Sequence, residues 1–253
     1  MTISGVILAK NEESHIEKCI KSLDFCDEVI VIDDNSTDKT LEKAKGSGAV
    51  IFSHSLNNDF SAQRNYGLEK AKGDWVIFID ADEVVSDDLK KEIKETVNVN
   101  TDYSGYYIKR EDCLWEKKLK HGETGKTILL RLAKKGLGNW RRIVHEKWDV
   151  SGKVGKLKNP ILHYPHQNLE DFITHIEEFS TLHATANYSE GKKTSLSKIF
   201  FYPLLKFIKN YLFLFGFSDG VCGMVHALLM SFHSYLSWSK LWLIQKQLMS
   251  KKY

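Results

Sequence analysis

The fold is decided by the stretch Trp75-Val76-Ile77-Phe78-Ile79-Asp80-Ala81-Asp82-Glu83. Its first five residues are large and apolar, and carboxylates follow them at once. A short, continuous apolar run of this kind is typical of a buried strand. The stretch therefore predicts a buried strand over Trp75–Ile79 with carboxylates at its C-terminal end.

Around this stretch, the first hundred residues alternate short β-rich runs with helical patterns. Such alternation indicates βαβ units built around a mainly parallel sheet. The predicted strands are Ile3–Leu8, Glu28–Ile32, Ala49–Ser53 and Trp75–Ile79, and the predicted helices are Ser14–Leu23, Thr37–Lys45 and Ala62–Ala71. We expect half of a doubly wound, Rossmann-like sheet flanked by helices.

The rest of the chain changes character. Runs at Gly105–Arg110 and Thr127–Leu132 predict further strands and a mixed second half of the sheet. After Pro165 the pattern predicts a helix over Leu169–Tyr188, followed by two strongly apolar stretches. We expect an α/β domain over residues 1–165 and a helical region over residues 166–253.

Composition and charge narrow the class of protein. The 253 residues are 42% hydrophobic and 27% charged, as in an ordinary globular domain. The four cysteines form no CxxC pair and the N-terminus has no secretory-signal pattern, so we expect a cytoplasmic protein. Residues 191–253 carry nine lysines and one acid, a net charge of +8, although the whole chain carries only +3. This region therefore favours an anionic partner.

The candidate site residues follow the predicted strands. Ligands of open α/β sheets bind beyond the carboxyl ends of the strands. Asp80 and Asp82 suit Mg²⁺ or Mn²⁺, which take oxygen ligands; the alternative is a solvated acidic turn. Asp33 and Asp34 can accept hydrogen bonds from a pyrimidine ring or ribose hydroxyls, or can form an Asx turn before the next helix.

Four blocks of sequence together resemble the glycosyltransferases of family 2, which have a GT-A fold. The blocks are Leu8-Ala9-Lys10-Asn11-Glu12-Glu13, Val31-Ile32-Asp33-Asp34-Asn35-Ser36-Thr37-Asp38, Gln63-Arg64-Asn65 and Asp80-Ala81-Asp82-Glu83. A later block, Val144-His145-Glu146, is similar to that of the lipopolysaccharide core β-glucosyltransferase branch. The resemblance implies an inverting, metal-dependent hexosyltransferase that uses a nucleotide-diphosphate sugar, with a uridine nucleotide as the first expectation.

The resemblance also implies roles for individual residues. The nucleotide-sugar contacts would come from Ala9, Glu12, Asp33, Asp34, Gln63, Arg64, Asp80 and Arg142. Asp82, with Asp80, would hold the Mg²⁺ or Mn²⁺ ion that bridges the diphosphate, and Arg64 would offset phosphate charge unless it is only a surface arginine of its helix.

The acceptor side needs a general base, since the attacking hydroxyl must lose its proton. The resemblance places Glu146 in that role, beside a basic cluster of Arg141, Arg142 and His145; a salt-bridged surface strand is the alternative. His163 and His166 are further candidates for phosphate binding or for the metal shell, or are ordinary hydrogen-bonded residues.

The apolar stretches Ile199–Phe217 and Val221–Ile244 contain lysines, so a membrane-crossing helix is not expected. At 100° per residue, one face of the first stretch gathers Leu204, Leu205, Ile208, Leu212 and Phe215, and Pro203 is expected in the first turn of its helix. The pattern predicts either peripheral binding to an anionic membrane, at the inner face of the cytoplasmic membrane, or packing of the helices on each other or on a second copy.

The resemblance to the β-glucosyltransferase branch implies transfer of a sugar to a saccharide or glycolipid acceptor in cell-envelope polysaccharide synthesis of the lipopolysaccharide core type. A polyprenyl-phosphate sugar transferase and a non-catalytic nucleotide-sugar-binding scaffold are the alternatives. We expect no nucleic-acid partner.

Overall fold

The computed structural model describes residues 1–57, 59–99, 102–115, 117–142, 146–166 and 168–250. The chain divides into two compact units. The first unit comprises Met1–Glu111 and Thr127–His163, and the second comprises Asp112–Lys126 and Tyr164–Tyr253. The sequence placed residues 112–126 in the first domain, whereas the structure places them in the second unit. Leu114 and Leu119 pack there in one apolar cluster with Phe172 and Ile176.

The strands are β1 Ile3–Ala9, β2 Glu28–Asp33, β3 Val50–Ser53, β4 Trp75–Asp80, β5 Glu83–Val85, β6 Tyr103–Leu114, β7 Lys117–Lys118, β8 Ile128–Lys134, β9 Gly138–Arg141, β10 Lys147–Val150, β11 Lys153–Lys156 and β12 Ile161–His163. The α-helices are α1 Ile16–Lys21, α2 Thr40–Gly46, α3 Phe60–Lys70, α4 Asp87–Asn98, α5 Leu169–Ser189, α6 Leu196–Ile208 and α7 Gly220–Ser250.

The main sheet follows the order β3-β2-β1-β4-β8-β6-β12-β5. Strands β3, β2, β1 and β4 are parallel to one another, β8 is antiparallel to β4, and β6 is antiparallel to β8. The predicted parallel first half and mixed second half are therefore confirmed, as is the helical C-terminal region.

Strand β4 is buried, as its sequence predicts, and the structure shows that it lies inside the sheet between β1 and β8 with both faces covered. Trp75, Ile77 and Ile79 pack into one apolar cluster, and Val76 and Phe78 pack into the cluster on the opposite face. Successive side chains of a strand point to opposite faces, so one continuous apolar run serves two cores. Full burial of each such side chain contributes about 1.5–3 kcal/mol.

Helix α3 positions one side of the candidate site. Asp59 caps its N-terminus by accepting a hydrogen bond from the Ala62 amide at 2.9 Å. At Gly67 the helix lies so close to β1 that an added Cβ would be 2.7 Å from Val6 Cγ1. This close packing fixes the C-terminal part of α3 against β1.

The second unit is built mainly from α5, α6 and α7. Asn168 caps α5 by accepting from the Asp171 amide at 2.8 Å, and Ser195 caps α6. The placement of Pro203 in the first turn of its helix was wrong, because α6 already begins at Leu196. The Ser195 cap starts the helix two turns earlier, and Pro203 is tolerated inside it.

Candidate active site

Three strand ends meet at one edge of the sheet. Parallel pairing places Ala9 beside Asp33 and Leu8 beside Asp80. The residues that follow β1, β2 and β4 therefore gather at this edge, as the sequence predicted from the rule for parallel sheets.

The loops after β1 and β2 are tied to each other. Asn11 and Asn35 both have a left-handed backbone, with φ of 53° and 55°, which asparagine tolerates better than most residues. The Asn11 side-chain oxygen accepts from the Thr37 amide at 2.8 Å. Glu12 contacts His15, with 3.0 Å between Oε2 and Nδ1. The loops after β1 and β2 therefore hold each other in place along this edge of the sheet, and we call them the rim.

Asp33 and Asp34 are both buried at this rim. Both carboxylate oxygens of Asp33 accept from the amide of Ser36, three residues further along the chain, at 3.3 and 3.1 Å. Asp34 accepts from Lys10 Nζ and from the Leu56 amide, each at 2.8 Å. The nucleoside-binding roles of Ala9, Glu12, Asp33 and Asp34 stay predictions.

A cluster of buried and partly buried charges lies at the C-terminal end of β4. Arg64 Nη2 donates to Asp80 Oδ1 at 2.8 Å, and Arg131 Nη2 donates to Asp80 Oδ2 at 2.5 Å. Arg131 also donates to Glu83 at 3.2 Å, and the other face of Arg64 donates through Nε to Glu146 Oε1 at 2.9 Å. We call these five residues the ion cluster. It contains three carboxylates and two guanidinium groups.

The electrostatics within the ion cluster differ from residue to residue. Burial alone would raise the pKa of Asp80, but the Arg131 and Arg64 guanidinium groups hold it well below its ordinary value. Burial raises the pKa of Glu83, and the charge of Arg131 only partly opposes this effect. Asp80 is therefore a firmly ionised group that is already engaged on both oxygens.

Arg64 is not a surface arginine of its helix. The residue is only 4% exposed, and its guanidinium lies 4.7 Å from the centre of the Trp140 ring. Its Nη1 atom has no hydrogen-bond partner among the described residues. The neighbouring Gln63 donates to the His54 carbonyl at 2.9 Å and so supports the loop before α3.

Asp82 lies beside a histidine rather than in the ion cluster. His163 Nε2 is 3.1 Å from Asp82 Oδ2, because the antiparallel pairing of β12 with β5 places His163 next to Glu83. Burial would raise the pKa of Asp82, but His163 lowers it overall. Within the described residues, the second oxygen of Asp82 has no hydrogen-bond partner.

The donor set of this pair fits a divalent cation. A carboxylate oxygen and an imidazole nitrogen at this spacing can share one ion, and Mn²⁺ accepts both types of ligand. Asp80 fits less well as a second ligand, since both its oxygens are held by arginines. The assignment of Asp82 and Asp80 as metal ligands stays a prediction, and the geometry favours Asp82 with His163.

The loop between β9 and β10 carries the remaining predicted residues. Glu146 is in the ion cluster, and Arg142 is exposed with a left-handed backbone. Arg141 pairs with Asp149 on the surface at 3.2 Å. Val144 and His145 lie outside the described residues. The catalytic role of Glu146 and the donor role of Arg142 stay predictions.

His166 belongs to the second unit. Its ring stacks on Phe172 at 3.8 Å, and it lies near Asp171 and His175, with ligand atoms within 4.8 Å of one another. A role of His166 in phosphate or metal binding stays a prediction.

Sequence reasoning missed Arg131 and gave Glu83 no role of its own. Arg131 is the one charge within the apolar run Leu129-Leu130-Arg131-Leu132-Ala133 of β8. A charged residue inside an apolar strand is buried only with a partner, so this pattern could have predicted that Arg131 pairs with a carboxylate.

The mixed sheet, parallel in its first half and flanked by helices, with polar residues at the C-terminal ends of its strands, has the GT-A fold. The chain belongs to glycosyl transferase family 2, whose family model matches residues 4–150. The predicted family and fold class are therefore confirmed.

Several known proteins are similar to this chain. The lipopolysaccharide core biosynthesis glycosyltransferase LpsC of Rhizobium meliloti is 25% identical, over 96% of this chain and 92% of that protein. An uncharacterized glycosyltransferase of Rickettsia typhi is 31% identical, over 94% of this chain and 86% of that protein. Among solved structures, glucosyl-3-phosphoglycerate synthase from Mycobacterium tuberculosis, in complex with Mn²⁺, UDP and phosphoglyceric acid, has a TM-score of 0.49 at 20% identity, covering 77% of this chain and 80% of that one.

Proposed function

We propose that this glycosyltransferase moves a hexose, with inversion, from a nucleotide-diphosphate sugar to a saccharide or glycolipid acceptor in cell-envelope polysaccharide synthesis. The observation that carries the proposal is one arginine, Arg64, that joins Asp80 at the end of β4 to Glu146. The similarity to LpsC supports an acceptor of the lipopolysaccharide core type. A UDP-sugar is the first donor to test, because the family resemblance favours it.

The donor would be held at the polar edge of the sheet. Asp33 and Asp34, at the end of β2, offer carboxylates to the nucleoside. Asp82 and His163 would hold the divalent cation, which supplies charge stabilisation for the departing diphosphate. Arg64 and Arg131 keep Asp80 ionised and fixed, so the edge presents its groups in one arrangement.

Glu146 would serve as the general base. The acceptor hydroxyl oxygen forms a bond to the anomeric carbon, and its proton passes to a carboxylate oxygen of Glu146. The bond from the anomeric carbon to the diphosphate oxygen breaks at the same time, and its electron pair leaves with the nucleotide diphosphate. Arg64 donates to Glu146 Oε1 and thereby fixes the orientation of the carboxylate.

The test is release of nucleotide diphosphate by the full chain from a panel of UDP-, GDP- and TDP-sugars. Each reaction is run with Mn²⁺, with Mg²⁺ or with a chelator. The acceptors compared are core oligosaccharide, core glycolipid and polyprenyl phosphate. We expect release that needs a divalent cation and a saccharide-bearing acceptor. Transfer only to polyprenyl phosphate would show the other class of transferase, and donor binding without release would show a scaffold.

A further inference from the structure

The second unit exposes an unusual amount of apolar surface. Sixteen of the 27 exposed large hydrophobic side chains in the described part of the chain lie within residues 196–243. The most exposed are Phe213, Val221 and Phe200, at 74%, 71% and 68%. Soluble proteins rarely expose contiguous apolar patches of more than a few hundred Å², and larger ones mark interaction surfaces.

These side chains are ordered along helix faces. On α6, Leu196, Phe200 and Leu204 recur every four residues. On α7, Val221, Met224 and Leu228 recur at intervals of three and four. Such spacing places each set on one side of its helix. Each helix therefore presents an apolar stripe to solvent.

Between α6 and α7 lies a segment rich in exposed aromatic side chains, residues 212–217, which we call the aromatic tip. Its exposed side chains are Leu212, Phe213, Phe215 and Phe217. Phe215 has a left-handed backbone, with φ of 58°, which costs a residue with a side chain about 1–2 kcal/mol. The fold keeps this strained conformation while the Phe215 ring stays exposed. Such outliers cluster at functional positions.

Hydrogen bonds to His121 and Gly122 hold the tip and its neighbouring residue Asp219 in place. The buried Asp219 carboxylate accepts from the His121 amide at 2.8 Å and pairs with the His121 ring at 2.9 Å. The Gly122 amide donates to the Leu214 carbonyl at 2.9 Å. The aromatic side chains are therefore presented on a fixed support, which reduces the entropy lost when they bind.

The net charge of this region indicates whether its apolar surface binds a second copy of the chain or an anionic membrane. Residues 191–253 carry a net charge of +8. A symmetric pair of copies would bring two such basic regions together, which like-charge repulsion opposes, whereas an anionic bilayer complements them. Two lysines lie against tryptophan rings, Lys198 over Trp238 at 5.3 Å and Lys246 over Trp242 at 5.6 Å. Mixed aromatic and basic residues suit the headgroup region of a membrane.

In the described part of the chain, no single helix is both long enough and apolar enough to cross a membrane. The pair 196–213 and 216–247, bent by 68° at the break, passes that test together on length and composition. This geometry is that of a broken or re-entrant segment.

We infer that the aromatic tip and the two apolar stripes insert into the interfacial region of an anionic lipid bilayer. The apolar side chains enter the boundary between headgroups and acyl chains, and the lysines remain among the anionic headgroups. A lipid-linked acceptor would then meet the enzyme at the membrane surface. The inference does not depend on the proposed reaction, because lipid binding requires neither donor nor acceptor.

The test is flotation of the full chain with vesicles of phosphatidylcholine, with or without phosphatidylglycerol, at low and high salt. We expect binding to the anionic vesicles that salt weakens without abolishing, since apolar insertion is not screened. The double variant Phe200→Ser/Phe213→Ser should bind about tenfold more weakly or worse. Both side chains are largely exposed, so the folded protein is expected to tolerate the change.

The matched control is Val50→Ser/Val99→Ser, which removes two exposed apolar side chains from the first unit. This control should float like the wild type. Equal flotation of the Phe200→Ser/Phe213→Ser variant and the wild type would overturn the inference. A wild type that stays off anionic vesicles, and forms a dimer by light scattering that the same double variant loses, would assign the surface to a second copy.

Discussion

Replacement of Arg131 by methionine tests the ion cluster most sharply. The side chain is 4% exposed, and its guanidinium donates to both Asp80 and Glu83. Methionine fills much of the same volume without the charge. The buried Glu83 and the partly buried Asp80 then lose their shared cation, and breaking a buried pair such as Arg131–Glu83 costs about 3–5 kcal/mol. We expect the free energy of unfolding to fall by about that amount.

The assay is urea unfolding followed by circular dichroism, with Arg141→Met as the matched control. Arg141 pairs with Asp149 on the surface, where such a pair contributes about 0–1 kcal/mol. Because burial raises the pKa of Glu83, the penalty at Arg131 should shrink as the pH falls and Glu83 takes up a proton. A cost below about 1 kcal/mol, equal to that of Arg141→Met, would refute the reasoning.

Three further predictions follow from the site. Glu146→Gln should lower kcat by a factor of about 10²–10⁴ while the Kd for donor stays unchanged. The control Asp149→Asn should leave both kcat and Kd unchanged. Equal losses of kcat in the two variants would show that Glu146 is not the base. His163→Ala should raise the Mn²⁺ concentration for half-maximal activity at least about tenfold, measured by metal titration, whereas an unchanged titration would take His163 out of the metal site. Because the arginines lower the pKa of Asp80, its contribution to stability is present above its unfolded pKa of about 3.9 and is lost as the pH falls below it. Urea midpoints should therefore depend less on acid pH in Asp80→Asn than in the wild type, and identical profiles would contradict the assignment.

The sheet could be predicted from the sequence because its strands are locally encoded. The apolar run Trp75–Ile79 forms a buried strand, as expected, and its side chains enter apolar clusters on both faces of the sheet. Its carboxylates lie at the edge where parallel strands end, which follows from topology alone. The helix ends were less predictable: α1 begins at Ile16 rather than Ser14, and Ser195 starts α6 well before Pro203. Local cap signals compete with tertiary packing at such ends.

The partners within the site could not be predicted in the same way. The link from Arg64 to Glu146 spans 82 residues of sequence, and the pair of Asp82 with His163 spans 81. Periodicity reports which face of an element is buried, but not which distant side chain meets it. Arg131 was missed for this reason, although its place inside an apolar strand implied a buried partner.

We expect Asp82 to hold the cation that binds the sugar donor. Calorimetry of UDP-sugar binding at equilibrium, with and without Mn²⁺, measures this role. The Asp82→Asn variant keeps the shape of the side chain and removes its charge. We expect the wild type to bind the donor only when Mn²⁺ is present, and we expect Asp82→Asn to lose this binding. Circular dichroism should show that the fold of the variant is unchanged. Mn²⁺-dependent binding of equal affinity in the two proteins would contradict this role of Asp82.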